Sequence, residues 1–375
     1  MRWELAAEQL EFQESFRGWL SQVASTDAVR GWIDSGDPSP FEKRLVEEGW
    51  FAVGTSESRG GQGGGAIELA LVAEELARAG VPSSAWLASV LALGALDDTL
   101  AANVLDGGGF AALAVGAGSP PDDVAEGTSP CRLRSDGTVV GRVPLVLGAD
   151  RATLLVVPVV GEQPAGEAVT SPGPLSLVLV DATADGVTVA SRSLLDRTRT
   201  VADVHFDGAR AVRLGVDAGQ TLAAACRLAL VLVAADSLGA MERMLDLAVS
   251  YSKTRQQFGA PIGSFQAVKH AAASILVSVE AARSIVYYAA ASVEQGEPDC
   301  AIHAAIAKAQ VGPSAVVAAD TALTMHGAIG YTWEHDLHLH YKRAKLDDRL
   351  FGGAAIWNER IAQALQLSPM AYPRH

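Results

Sequence analysis

One arginine, two amides and an aromatic ring crowd a single turn in YSKTRQQFGAPIGSFQAVKH, residues 251–270. Arg255 supplies a fixed positive charge, Gln257 and Gln266 supply amide donors, and Phe258 offers a flat face. The Gly259-Ala260-Pro261 turn divides a helix-forming stretch from a second one that starts near Gln266, so unpaired backbone N–H groups fall beside the guanidinium. A phosphate or pyrophosphate suits both kinds of donor. The same residues also suit a plain inter-helix turn whose arginine favours the C-terminus of the helix before it.

A second stretch, MHGAIGYTWEHDLHLHYKRAK (325–345), sets Gly327, Ala328 and Gly330 between a helix end and an aromatic-rich segment. Small residues let backbone approach a ligand closely, and they also form ordinary helix C-caps. His335 and His338 share a helical face, and with His340 they match no closed ligand set, so no metal site is expected. The glycine-rich RGGQGGG (59–65) precedes a helix without the strand that a dinucleotide fingerprint needs, and it reads as a turn. Arg227 and Arg243 are expected on a solvated or ion-paired face. Asp236 stands alone among apolar residues in VLVAADSLGAM; it has a hydrogen-bond partner or it performs chemistry, because burying it unpaired is costly.

The elements that must position these groups fall into three zones. Residues 1–106 carry apolar residues at helical spacing, as in IELALVAEELARA. Residues 107–215 turn to short apolar or alternating runs, among them AALAV, ATLLVVPVV, LSLVLVDA and VADVHF, and read as a β domain. Residues 216–375 return to long helical periodicity, broken at Gly259-Ala260-Pro261 and Pro298, and read as a bundle. The stretch 160–174 is the most linker-like.

At 375 residues, two or three packed domains are expected, with a large core. Hydrophobic residues make up 49% and aromatic residues only 6%, which favours closely packed helices with small side chains. The net charge of −14 repels phosphate backbones and anionic membranes, so nucleic acid and membrane are poor partners and any anionic ligand needs a local basic group. Three scattered cysteines indicate neither disulfides nor zinc. The N-terminus has acidic residues where a signal peptide needs an apolar core, and the apolar run 228–235 is too short to span a bilayer, so a cytoplasmic protein is expected.

The helical, β, helical order, with Y-x-x-x-R-x-Q-F-G-x-P-I-x-x-F-Q at 251–266 and H-G-x-I-G-Y at 326–331, resembles the flavin-dependent acyl-CoA dehydrogenase family. The likeness covers nearly the whole chain and implies an α+β, mainly α fold: an N-terminal helical domain, a middle β domain and a C-terminal four-helix bundle. It implies that Arg255 binds the pyrophosphate of an FAD held mainly by a neighbouring subunit, with Gln257, Phe258 and Gln266 near its nucleotide half. Thr324, Gly327, Ala328 and Gly330 would also approach the cofactor. An acyl-CoA substrate, a homotetramer or an α2β2 assembly with a homologous subunit, and an electron-transferring flavoprotein as acceptor follow from the same resemblance.

The family's base is a glutamate near the C-terminus that removes the α-proton while a hydride passes to the flavin. Here Gly352 falls at or beside that place, and Ala229 occupies the alternative base position on the long helix. In the β domain, GAGSPPDDVAEG (116–127) and VPLVLGAD (143–150) depart from the family's flavin segments; Thr324 and Ala328 depart in the bundle. Such losses, with Arg255 kept, match the base-lacking subunit of heterotetrameric members. The alternatives are a self-sufficient homo-oligomer using Asp236 as base and a non-catalytic acyl-CoA-binding or scaffold protein.

Overall fold

The structure is a computed structural model that describes residues 4–124, 129–161 and 174–365. Six helices come first: α1 (Ala7–Val23), α2 (Thr26–Ser35), α3 (Ser39–Glu47), α4 (Ala66–Ala79), α5 (Ser84–Leu93) and α6 (Asp98–Leu105). Polar caps start several of them. Ser25 accepts from the Ala28 N–H at α2, and Asp97 accepts from the Leu100 N–H at α6. Every residue of α5 is buried, which explains its all-round apolar sequence SAWLASVLAL.

Among the described residues eight strands follow: β1 (Phe110–Leu113), β2 (Cys131–Leu133), β3 (Thr138–Leu147), β4 (Ala152–Gly161), β5 (Leu175–Asp181), β6 (Val187–Arg192), β7 (Val201–Arg210) and β8 (Val212–Arg213). They form one sheet in the order β6-β7-β3-β2-β4-β5-β8, with β1 pairing in parallel to β4. β3 breaks register against β7 between Val143 and Val146, where Pro144 removes a donor and Leu145 takes a positive φ of 53°. The linker-like stretch 160–174 lies almost wholly outside the described residues, as does the end of the 116–127 loop.

The last third opens with α7 (Ala218–Thr254), 37 residues and so about 55 Å long. A ribbon of β9 (Gln256–Gln257) and β10 (Ala260–Pro261) leads to α8 (Gln266–Glu294), α9 (Cys300–His326), α10 (Leu337–Asp347) and α11 (Ala354–Ala364). α7, α8, α9 and α10 pack as a bundle, α11 lies on α9, and α4 crosses α7. At that crossing a Cβ on Gly239 would sit 1.9 Å from the Glu74 carbonyl oxygen, so only glycine permits the approach. α7 is long and apolar enough to cross a bilayer, yet most of that stretch is buried against these neighbours. The fold is the one the family resemblance implied, including the four-helix bundle.

Candidate functional site

The two-residue loop between β9 and β10 is Phe258-Gly259, and both residues have positive φ, 53° and 77°. This is the mirror-image turn that suits right-twisted hairpins, and it normally excludes bulky residues at its first position. Phe258 is nonetheless there, 93% exposed, its ring meeting only the edge of Phe265 at 6.1 Å. Strain of about 1–3 kcal/mol holds an aromatic face outward, into solvent in the isolated chain. Arg255 is exposed beside it, its backbone fixed by N–H donation to the Tyr251 carbonyl and acceptance from the Ile262 N–H. The side chains of Arg255, Gln257 and Gln266 have no hydrogen-bond or ion-pair partner among the described residues. Gln266 is the first residue of α8, whose N-cap Phe265 offers no side-chain acceptor. A guanidinium, two amides, free N–H groups and a ring therefore all face outward together, a donor set whose chemistry fits a diphosphate and a flat heterocycle presented from outside the protomer.

The two motifs meet through one stack. The Tyr251 ring lies over the His326 ring with centroids 4.7 Å apart and planes 19° from parallel, and His335 abuts both edge-on. His326 Nδ1 donates to the Ala322 carbonyl at 2.7 Å, which fixes the ring in the stack. Gly327 then takes φ 66°, ψ −147°, a conformation reserved for glycine, with open space where a Cβ would be. Ala328 and Thr324 are exposed beside it; the Thr324 hydroxyl donates to the Asp320 carbonyl in its own helix. Gly330 is buried, and a Cβ there would meet Leu323 at 2.8 Å and Leu337 at 3.0 Å, so its small size serves packing.

The space around Gly352 is filled. Gly352 has φ 96°, and a Cβ on it would lie 3.1 Å from the Trp357 Nε1 and 3.4 Å from Pro120. The Trp357 indole is buried and donates to the carbonyls of Phe351 and Gly352, both at 3.1 Å. The Phe351 N–H donates to the Ala117 carbonyl, and Arg360 pairs with Asp122 at 2.8 Å and with Asp123. The segment 350–360 is thus clamped to the loop 117–123. Ala229 is fully buried.

Asp236 is a correction to the catalytic alternative. It is 1% exposed, and Arg343 grips it through Nε to Oδ1 at 2.6 Å and Nη2 to Oδ2 at 2.7 Å, with Arg199 on Oδ2 as well. Burial opposes its ionisation, yet the two guanidiniums prevail and hold it at about 2. A carboxylate so occupied is a poor proton acceptor, and it has structural partners of the kind that the sequence left open. Burial and the charge of Asp236 raise the neighbouring Asp347 well above its ordinary value.

Among the described residues no histidine, cysteine, aspartate and glutamate cluster could hold a metal. Gly61 packs against the Thr55 carbonyl inside a turn closed by the Thr55–Gly63 bridge, and Arg59 caps the end of α5 through the carbonyls of Leu93 and Leu96. Sequence reasoning passed over Trp357, Arg360 and Pro120. The signal was present as a tryptophan and an arginine five and eight residues after Gly352, with an acidic PPDD loop to receive the arginine.

Two protein-family models match the chain: acyl-CoA dehydrogenase, N-terminal domain, over residues 6–99, and acyl-CoA dehydrogenase, C-terminal domain, over residues 226–366. The acyl-CoA dehydrogenase IpdE2 of Mycolicibacterium smegmatis is 32% identical over 351 residues, 93% of this chain and 96% of that protein. The acyl-CoA dehydrogenase FadE34 of Mycobacterium tuberculosis is 33% identical over 371 residues, 96% of this chain but 48% of its own length, so the chain spans about half of that relative. Among solved structures, a variant of the Tcur3481-Tcur3483 steroid ACAD superposes with a TM-score of 0.81 at 25% identity, covering 96% of this chain and 97% of that one. The ChsE4-ChsE5 complex from Mycobacterium tuberculosis shares the fold, with a TM-score of 0.80 at 24% identity over 98% of this chain and 100% of that one.

Proposed function

This chain belongs to the acyl-CoA dehydrogenase family, flavoproteins that use FAD to oxidise the CH–CH bond of acyl-CoA thioesters, and from that premise we propose that it is the base-lacking subunit of a heteromeric enzyme. Its task in this reading is to complete the FAD site of a homologous partner that brings the glutamate. One observation carries the proposal: the outward donor set around Arg255 is kept and has no partner among the described residues, while Trp357 packs against the backbone of Gly352 where the family's carboxylate would stand.

Bound FAD supplies hydride acceptance at its flavin ring. Arg255 would neutralise its diphosphate, Gln257 and Gln266 would donate to it, and Phe258 would cover a flat portion of the nucleotide. The Gly327 turn leaves open space above the backbone for close approach, and the Tyr251–His326 stack fixes that turn relative to Arg255. None of these groups abstracts a proton. That step, at the carbon next to the thioester carbonyl, falls to the partner.

The likeness to a steroid ACAD supports a steroid-derived acyl-CoA as the substrate class, and an electron-transferring flavoprotein is the acceptor we propose. The test is to purify the chain alone and after co-expression with a homologue that carries the glutamate, and to assay both with a steroid acyl-CoA and a dye acceptor. Turnover confined to the pair supports the reading. Turnover by the single chain ends it.

A further inference from the structure

His335 is outside the donor set around Arg255, yet it sits where the two motifs of that surface join. Its ring abuts Tyr251, which is one turn before Arg255 on α7, with centroids 6.1 Å apart, and it abuts His326, the residue before the Gly327 turn, at 4.6 Å. Its Nδ1 accepts the N–H of Leu337, the first residue of α10, at 3.1 Å. The N-cap residue Asp336 offers no side-chain acceptor there; its carboxylate is taken by Arg30 and Thr26. The imidazole of His335 therefore supplies the acceptor with which α10 starts.

Leu337 has no exposed surface, and its side chain packs on the glycine turn: a Cβ on Gly330 would lie 3.0 Å from Leu337 Cδ2. One imidazole thus reaches the Arg255 surface by two routes, ring to ring through Tyr251 and His326, and through Leu337 to the turn Gly327–Tyr331. A ring nitrogen that accepts a hydrogen bond carries no proton, so a neutral His335 is protonated at Nε2 and a second proton must enter at Nδ1. There it would meet the Leu337 N–H head-on and leave that buried donor without its acceptor. Burial and His326 on α9 oppose this proton, as do Arg30 on α2 and Arg243 on α7, while Asp336 favours it; His335 accordingly protonates below its ordinary 6.5. Arg243 itself differs from the solvated or ion-paired residue expected from sequence, being half-buried with no ion-pair partner among the described residues.

We infer that His335 is a pH-sensitive positioning residue for the cofactor surface: neutral, it caps α10 and holds the Gly327 turn against Arg255, and protonated, it releases both. The inference rests on the reading of that surface as a flavin site.

The test compares wild type with two variants. His335→Asn keeps an acceptor that does not titrate, and His335→Phe keeps a flat ring without an acceptor. Hydrogen-exchange protection of the amides in 326–337, measured on the full chain and corrected for intrinsic exchange, should fall at least ~5-fold from pH 7.5 to pH 5 in wild type, the size of one lost hydrogen bond. It should stay level in the Asn variant and be low at both pH values in the Phe variant. Flavin retention by the co-expressed pair, read by gel filtration, should follow the same order. An equal acid step in wild type and the Asn variant overturns the inference, and so does retention without a pH step that the Asn variant removes. Should the Asn variant not fold, His340→Leu decides: an exchange step that persists in it supports His335, and one that vanishes with it overturns the inference. Failure of the flavin reading shows separately, as retention unchanged in Arg255→Gln, and the exchange measurement on the single chain still decides the capping role.

Discussion

The indole Nε1 of Trp357 donates to the Gly352 carbonyl at 3.1 Å, and the same nitrogen lies 3.1 Å from where a Gly352 Cβ would be. One side chain thus fixes the backbone of the turn and fills the space beside it. A carboxylate placed here would have to displace more than one side chain, because Trp357, Phe351 and Arg360 close the turn onto the 117–123 loop.

Gly352→Glu should accordingly fail to create a base. A side chain at φ 96° incurs backbone strain and a contact with Trp357 and Pro120, together about 1–3 kcal/mol of stability. A urea melt should register that loss, and dye reduction by the variant chain alone should stay at background. Acyl-CoA oxidation by it would show that the turn can open.

Arg255→Gln should leave the isolated chain's stability within ~0.5 kcal/mol, because the guanidinium is exposed and has no partner among the described residues. In the assembled enzyme it should weaken flavin retention by at least ~10-fold, read by gel filtration followed by the ratio of flavin to protein absorbance. Unchanged retention would place the flavin elsewhere.

Asp236→Asn separates structure from catalysis. Removing one partner of the buried Arg199–Asp236–Arg343 cluster should cost about 3–5 kcal/mol, and Arg343→Met should cost a similar amount. Circular dichroism melts decide the matter. A variant that melts like wild type but turns over ~10²- to 10⁴-fold more slowly would instead restore Asp236 as the base.

Acid should destabilise the chain before its carboxylates titrate. Burial lowers His338 to about 4 and His340 to about 3, against an ordinary 6.5, so the unfolded chain binds protons in this window that the folded chain does not. Stability from these neutral rings is complete above pH 6.5 and falls as pH drops toward 4, by ~2 kcal/mol for each histidine at pH 5. His340→Leu should flatten the fall in melting temperature between pH 7 and pH 5. An equal fall in wild type and variant would contradict it.

Much of this was legible in the residues. Apolar periodicity marked α4 and α7, and the runs ATLLVVPVV and LSLVLVDA became β4 and β5 of one antiparallel pair, because period and turn residues are local signals. The Arg255 motif was legible as donors around a turn; the positive φ of Phe258 that aims its ring outward was not, since sequence carries no dihedral. Asp236 could not be settled from its neighbours in the chain: its partners Arg199 and Arg343 lie 37 and 107 residues away and meet it only in the folded core. Gly330 looked like the other glycines of its motif, and only packing against Leu323 and Leu337 distinguishes it from Gly327.

If the flavin is held between this chain and a homologous partner, flavin content must depend on the partner. The purified chain should be colourless near 450 nm, and the co-expressed pair should carry about one FAD per two subunits, with Arg255→Gln depleting it. A single chain that purifies with a full complement of FAD in its own homo-oligomer, and oxidises acyl-CoA unaided, would contradict the account.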